Sequence, residues 1–200
     1  MQPHNFSTTE SVIHIKNMVS RSCIRVVKES LEKTGFIKVL RIKLGEAQIR
    51  YDGQIATPQL LNEILQKEGF ELIEDNSKKL IERIKTSVIQ LIFYGSNTNS
   101  IIRNSDYLSD RLGHPYAYLS KLFSEKTNST LEKYIILIKI EKIKELISYG
   151  EMTLSEIAFQ MGYSSVQYLS NQFRQVTGLS VTEYKSLRKR DRKLLSAILD

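Results

Sequence analysis

Apolar and polar positions alternate from Val12 to Lys16, so this stretch predicts a strand with Ile13 and Ile15 on one face. From Arg21 to Lys33 the period lengthens to that of a helix, with Ile24, Val27 and Leu31 inward, and Gly35 ends it. Phe36–Leu44 and Glu46–Tyr51 read as strands joined tightly at Gly45, with Leu40, Ile42, Ala47 and Ile49 toward a core. Thr57-Pro58 opens a second helix bearing Leu60, Leu61, Ile64 and Leu65, and Gly69 precedes a strand from Phe70 to Glu74. The predicted order is βαββαβ, a ferredoxin-like split βαβ unit over residues 11–75, behind a polar tail of residues 1–10.

Beyond residue 75 the pattern is helical throughout. Leu80, Ile84, Val88, Leu91 and Ile92 form a stripe from Lys79 to Tyr94, broken by Gly95-Ser96-Asn97-Thr98-Asn99-Ser100. Ser105 or Asp106 is placed to cap a helix through Leu108–Leu112, and Pro115 suits the first position of the next helix. Leu131 to Ser148 reads as one long apolar helix stopped by Gly150. Thr153-Leu154-Ser155-Glu156 is a capping box, and Val181–Leu187 starts a last helix before a basic run, Arg188 to Lys193.

This half contains a repeat. Tyr118-Leu119-Ser120-Lys121-Leu122-Phe123 recurs fifty residues later as Tyr168-Leu169-Ser170-Asn171-Gln172-Phe173. At the same offset Thr127 matches Thr177, Tyr134 matches Tyr184, and Asn128 falls opposite Gly178, both residues that tolerate the left-handed conformation closing a helix. A short helix ending at Gly113 precedes one copy, and Ile157, Ala158 and Met161 precede Gly162 ahead of the other. Helix, glycine-bearing turn, helix, written twice, is the pattern of two DNA-reading heads, with the long helix between them setting their spacing.

Charge sharpens this reading. The 200 residues carry a net charge of +7. Residues 1–76 hold 10 basic and 10 acidic side chains, whereas residues 77–200 hold 19 and 12, so all the excess lies with the repeat. A polyanionic partner fits that half, because neutralised phosphates release counterions. One cysteine excludes an internal disulfide, and no run of about 18 apolar residues is present to span a bilayer. The first ten residues lack a basic stretch followed by an apolar one, so the expected location is cytoplasmic, with no membrane partner. Three histidines and one cysteine lie scattered, without a nucleophile–base pair, phosphate loop or ligand cluster, so no enzyme is expected.

Each second helix of a pair offers an apolar face (Leu119, Leu122 and Phe123; Leu169 and Phe173) and an opposite stripe. In the second copy the stripe is Val166, Gln167, Ser170, Asn171 and Arg174, with Ser165 just ahead; in the first it is Tyr116, Ala117, Ser120, Lys121 and Ser124. Gln and Asn can bond adenine, Lys can reach guanine, and Ala or Val can pack on a thymine methyl. Arg174 suits a phosphate.

Residues from about 78 to 187 resemble the tandem helix-turn-helix domain of AraC/XylS-family bacterial transcription regulators. LSEIAFQMGYSSVQYLSNQFRQVTGLSVTEYK follows that family's pattern at Ile157-Ala158, Gly162-Tyr163, Phe173, Thr177-Gly178 and Tyr184. The resemblance implies an all-α domain over residues 76–200 that reads successive major-groove segments of double-stranded DNA and works with RNA polymerase. Val181 and Lys185 stand where the family has Pro and Arg, Asn171 where many members carry Arg, and Ile143 where the linker helix has Ala.

The N-terminal unit resembles heavy-metal-associated domains such as copper chaperones, which hold Cu(I) through Met-x-Cys-x-x-Cys. Here the loop reads Met18-Val19-Ser20-Arg21-Ser22-Cys23, with Ser20 replacing the first cysteine. A hydroxyl is a poor ligand for a soft ion, so the fold is implied and the metal site is not. His14 is expected to be an exposed strand residue. Cys23 lies beside Arg21 and Arg25 at a helix start, a setting that favours thiol reactivity; it can equally pair across two chains around one ion, or be an inherited half-buried thiol. Such a domain can also mediate homodimerisation. The expected class is therefore α+β, the expected function sequence-specific transcription regulation without a cofactor. The rival is a metal-handling, copper-chaperone-like protein with a helical interaction domain.

Overall fold

The computed structural model describes residues 8–95, 104–187 and 191–199. It is a mixed α+β structure that divides into two units, one ending at Thr86 and the other beginning at Ser87. Strands β1 (Thr8–Lys16), β2 (Ile37–Lys43), β3 (Glu46–Asp52) and β4 (Glu71–Ile73) form one sheet in the order β2-β3-β1-β4. All three pairings are antiparallel. Helix α1 (Arg21–Glu32) connects β1 to β2, and α2 (Pro58–Gln66) connects β3 to β4. They bury Val27, Leu31, Leu61 and Leu65 with Ile13, Ile15, Ala47 and Ile49 of the sheet, the faces expected from period.

Leu40 is the exception: it is exposed, and Ile37 and Val39 take the core positions of β2. The pairing runs Val39↔Ile49 and then Arg41↔Gln48, so Leu40 is the extra residue of a β-bulge. A bulge reverses the parity of inward positions, which is why Ile42 still packs against the core. Gly45 makes the β2–β3 turn at φ +79, where a Cβ would also come within 3.2 Å of Thr86 Cγ2. That close neighbour belongs to α3 (Asn76–Ile89), whose Glu82 carboxylate accepts a hydrogen bond from the Asn17 backbone N–H at 3.1 Å. A π-helical turn, Gln90–Tyr94, continues α3.

His14 is not the freely exposed residue expected from alternation. Its Nδ1 is buried without a hydrogen-bond partner among the described residues. Burial pushes the imidazole below the ordinary histidine range, and the cations Lys79, Arg83 and Lys43 add to this against the opposing Glu46.

The second unit holds α4 (Asn104–Leu112), α5 (Tyr116–Thr127), α6 (Leu131–Tyr149), α7 (Leu154–Gln160), α8 (Val166–Thr177) and α9 (Val181–Ser186). Ser105 and Asp106 lie inside α4 rather than capping it, since Asn104 is already helical. Pro115 is the cap residue of α5, one position earlier than expected. The capping box at Thr153 has both reciprocal bonds. The Ser96–Ser100 break and Arg188-Lys189-Arg190 fall outside the described residues.

Candidate nucleic-acid interface

The repeat in sequence is a repeat in space. Phe123 stacks on Tyr134 and Phe173 on Tyr184, each with ring centroids 5.4 Å apart. Thr127 Oγ1 donates to the Phe123 carbonyl and Thr177 Oγ1 to the Phe173 carbonyl, both at 2.8 Å. Asn128 (φ 53) and Gly178 (φ 77) then end α5 and α8 in the left-handed conformation. Each head is a pair of helices (α4 with α5, α7 with α8) whose second member buries Leu and Phe one turn apart. The long helix α6 serves both. Its Tyr134 packs on Phe123, while Ile140, Ile143 and Ile147 join Leu169 and Phe173 in one core. Apolar residues therefore occur all round α6, and Ile143 is completely buried.

On the opposite side of α8, Gln167 and Asn171 are exposed and joined by a 3.0 Å bond from Gln167 Nε2 to Asn171 Oδ1. Arg174 is exposed one turn further on. Ser170 is half-buried, and Val166 packs against the core beneath the head. Ser165 caps α8, its side chain accepting from the Tyr168 N–H. On α5, Ala117 and Lys121 are exposed, and Lys121 has Glu125 as an ionic neighbour at 3.9 Å. Tyr116 and Ser120 are held otherwise: both hydroxyls donate to Glu132 Oε1 on α6, at 2.8 and 3.3 Å. Ser124 bonds back to the Ser120 carbonyl and is half-buried.

Sequence reasoning passed over two side chains. Tyr118 and Tyr168 are the matching second residues after Tyr116 and Val166, and both are about half exposed (49% and 54%) beside the polar stripes. Their signal was the repeat itself, which pairs them at the fifty-residue offset.

Between the heads, along α6, runs a cleft of about 420 Å³ whose lining includes Tyr116, Glu132, Lys139, Tyr163, Tyr168 and Gln172. Lys139 reaches through it to donate to the Met161 carbonyl at 3.0 Å and lies over the Tyr163 ring. Burial lowers the Lys139 amine below the ordinary range. Burial, with a smaller contribution from Tyr168, pushes the Tyr163 phenol up to about 12, and its hydroxyl donates to Gln172. Tyr116 is raised by burial and by the bond to Glu132. These are neutral hydroxyls at physiological pH, able to donate.

Part of the basic run is occupied inside the unit. Arg192 donates to Glu145 at 2.7 Å, and the Lys193 N–H donates to Glu141, which also pairs with the buried Lys144. Two α6 carboxylates thus hold residues 192 and 193 against the long helix, Arg192 through its guanidinium and Lys193 through its backbone N–H.

In the first unit, Met18 is fully buried in the core. Ser20 Oγ and Cys23 Sγ lie 3.2 Å apart at the start of α1, and Cys23 is half-buried. No group of three or more His, Cys, Asp or Glu placed to hold a metal occurs among the described residues. No helix among them is long and apolar enough to cross a membrane.

The family model described as a helix-turn-helix domain matches residues 108–187, the span from α4 to the end of α9. The xylose operon regulatory protein of Escherichia coli (strain K12) is 28% identical over 139 residues, covering 64% of this chain and 36% of that protein. The Msm operon regulatory protein of Streptococcus mutans is 24% identical over 90 residues, 45% of this chain and 32% of that protein. Copper-transporting ATPase 2 of Mus musculus is 27% identical over 106 residues, 51% of this chain and 7% of that protein. The chain thus spans about a third of the length of the operon regulators it matches. Residues 108–187 thus match a helix-turn-helix domain, and the chain is similar to two proteins named as operon regulators.

Proposed function

We propose that this chain is a sequence-specific DNA-binding transcription regulator of the AraC/XylS type, with α5 and α8 reading successive major-groove segments of double-stranded DNA. The observation that carries the reading is the pair of heads with matching contacts built on one shared helix, each turning its apolar side to α6 and leaving a polar face outward. Gln167 and Asn171 present amide donors and acceptors matched to a base edge, and Lys121 a donor for guanine. Arg174 contacts a phosphate. RNA polymerase is the downstream partner of such a regulator.

The test uses the full chain and a duplex selected from random DNA. Binding should weaken by about 0.9 log units per log unit of salt for each phosphate contacted. Asn171→Ala should cost about 1–3 kcal/mol at one base position and relax the choice there, whereas Arg174→Ala should weaken all sequences alike. A sequence preference left unchanged by Asn171→Ala would reject the reading face.

For the first unit we infer a ferredoxin-like, heavy-metal-associated-like domain that has lost its ion. The βαββαβ order with sheet order β2-β3-β1-β4 supports the fold, and the similarity to a copper-transporting ATPase supports the ancestry. The donor set does not fit Cu(I): Met18 is buried in the core, and Ser20 offers a hydroxyl beside the single thiol of Cys23. Association into a homodimer is the role assigned to it. Ser20→Cys should create a strong Cu(I) site without changing the fold, read by competition against a chelator. Tight Cu(I) binding by the native monomer that persists in Cys23→Ser would overturn this assignment.

A further inference from the structure

The two heads differ in charge at matched positions: the first carries Lys121, Lys126 and Lys133 where the second has Asn171, Val176 and Glu183, and it also carries Glu132 beside its reading helix. Glu132 Oε1 accepts from Tyr116, the first residue of α5, and from Ser120 one turn later. No hydrogen bond reaches its Oε2 among the described residues, and the residue is exposed. The carboxylate is therefore fixed alongside the N-terminal part of α5, the part of a recognition helix that meets base edges. Fifty residues on, the position equivalent to Glu132 is Thr182, which has no charge. Glu125, four residues after Lys121, has the neutral Gln175 as its counterpart, and Ser124 has Arg174. The nearest comparable acid of the second head, Glu183, is bonded to the Ser180 backbone within its own cap and acts on Arg174 only through its field.

We propose that Glu132 restrains the first head, weakening its contact with DNA and making it more discriminating. This rests on the DNA-binding reading above. A carboxylate accepts hydrogen bonds and donates none, so beside DNA it meets repulsion from phosphates and from the keto oxygens and ring nitrogens of the groove. Lys121, Lys126 and Lys133 leave the first head enough positive charge to bind, but its reading end carries an anion that the second lacks. Tyr116 and Ser120, tied to that anion, position it and are not themselves base readers.

The experiment compares the full native chain with Glu132→Gln, which keeps the oxygen that Tyr116 and Ser120 bond to. Glu68→Gln, an exposed change of the same charge on the first unit, serves as the control. On a duplex with both half-elements, Glu132→Gln should bind about 3–10-fold tighter at low salt, the gain shrinking as salt screens it, while Glu68→Gln changes little. On a duplex that keeps only the second half-element, native and Glu132→Gln should bind alike. Equal binding on the full site, or weaker binding with a changed base preference, would overturn the restraint. Absence of specific binding by all three proteins would instead overturn the DNA-binding function, and this inference with it.

Discussion

Inserting five base pairs between the two half-elements of the DNA site is expected to remove one head from the complex. Heads on one face of the duplex read sites roughly one helical turn, about 34 Å, apart, and half a turn carries the second site to the far side. The heads cannot follow, because both are built on α6: Tyr134 holds Phe123 of one, and Ile140, Ile143 and Ile147 are buried in the core of the other. Nineteen residues of continuous helix, closed by Gly150 at φ 73, contain no hinge. With base contacts worth roughly 1–3 kcal/mol each, loss of a head should weaken specific binding on the order of 100-fold. A ten-base-pair insertion should restore the facing but not the spacing. Affinity that survives five inserted pairs would mean that the heads move independently, contrary to this packing.

Phe173→Ala should be the most damaging single change to the second unit, costing about 3–5 kcal/mol of stability. Its ring is fully buried, stacks edge-on against Tyr184 and sits among residues from α6, α7, α8 and α9. Truncation leaves a cavity bounded by four helices, while the backbone carbonyl that Thr177 bonds is retained, so the loss is one of packing alone. Phe159→Ala is the comparison, because that ring is 68% exposed and its loss should stay within about 0.5 kcal/mol. Thermal or urea unfolding of the two variants separates the cases. Equal destabilisation would show that the core does not centre where Phe173 lies.

Asn171 and Phe173 show why the outward and inward faces of α8 were legible in the sequence. Two residues apart on one helix, they point to opposite sides by helical geometry alone, and the fifty-residue repeat marks which side is core. The same holds for Val27 and Leu31 of α1, Leu61 and Leu65 of α2, and the capping box at Thr153, all set by local period and capping chemistry. Leu40 was misread because a bulge is a property of two paired strands, invisible in either one alone.

What the chain determined by itself is the set of elements, the duplication, and the placing of all excess positive charge in the half that carries it. These follow from short-range geometry and from counting. What only the tertiary structure decided are contacts between residues far apart in sequence. The Glu132 carboxylate meets Tyr116 and Ser120 across a helix boundary, and Glu141 and Glu145 capture Lys193 and Arg192 from nearly fifty residues or more away. The His14 Nδ1 is buried without a partner among the described residues, on a face that alternation marked as open. Each depends on which backbone segment is brought alongside, a choice made by the packing of whole helices and sheet, and no period along the chain encodes it.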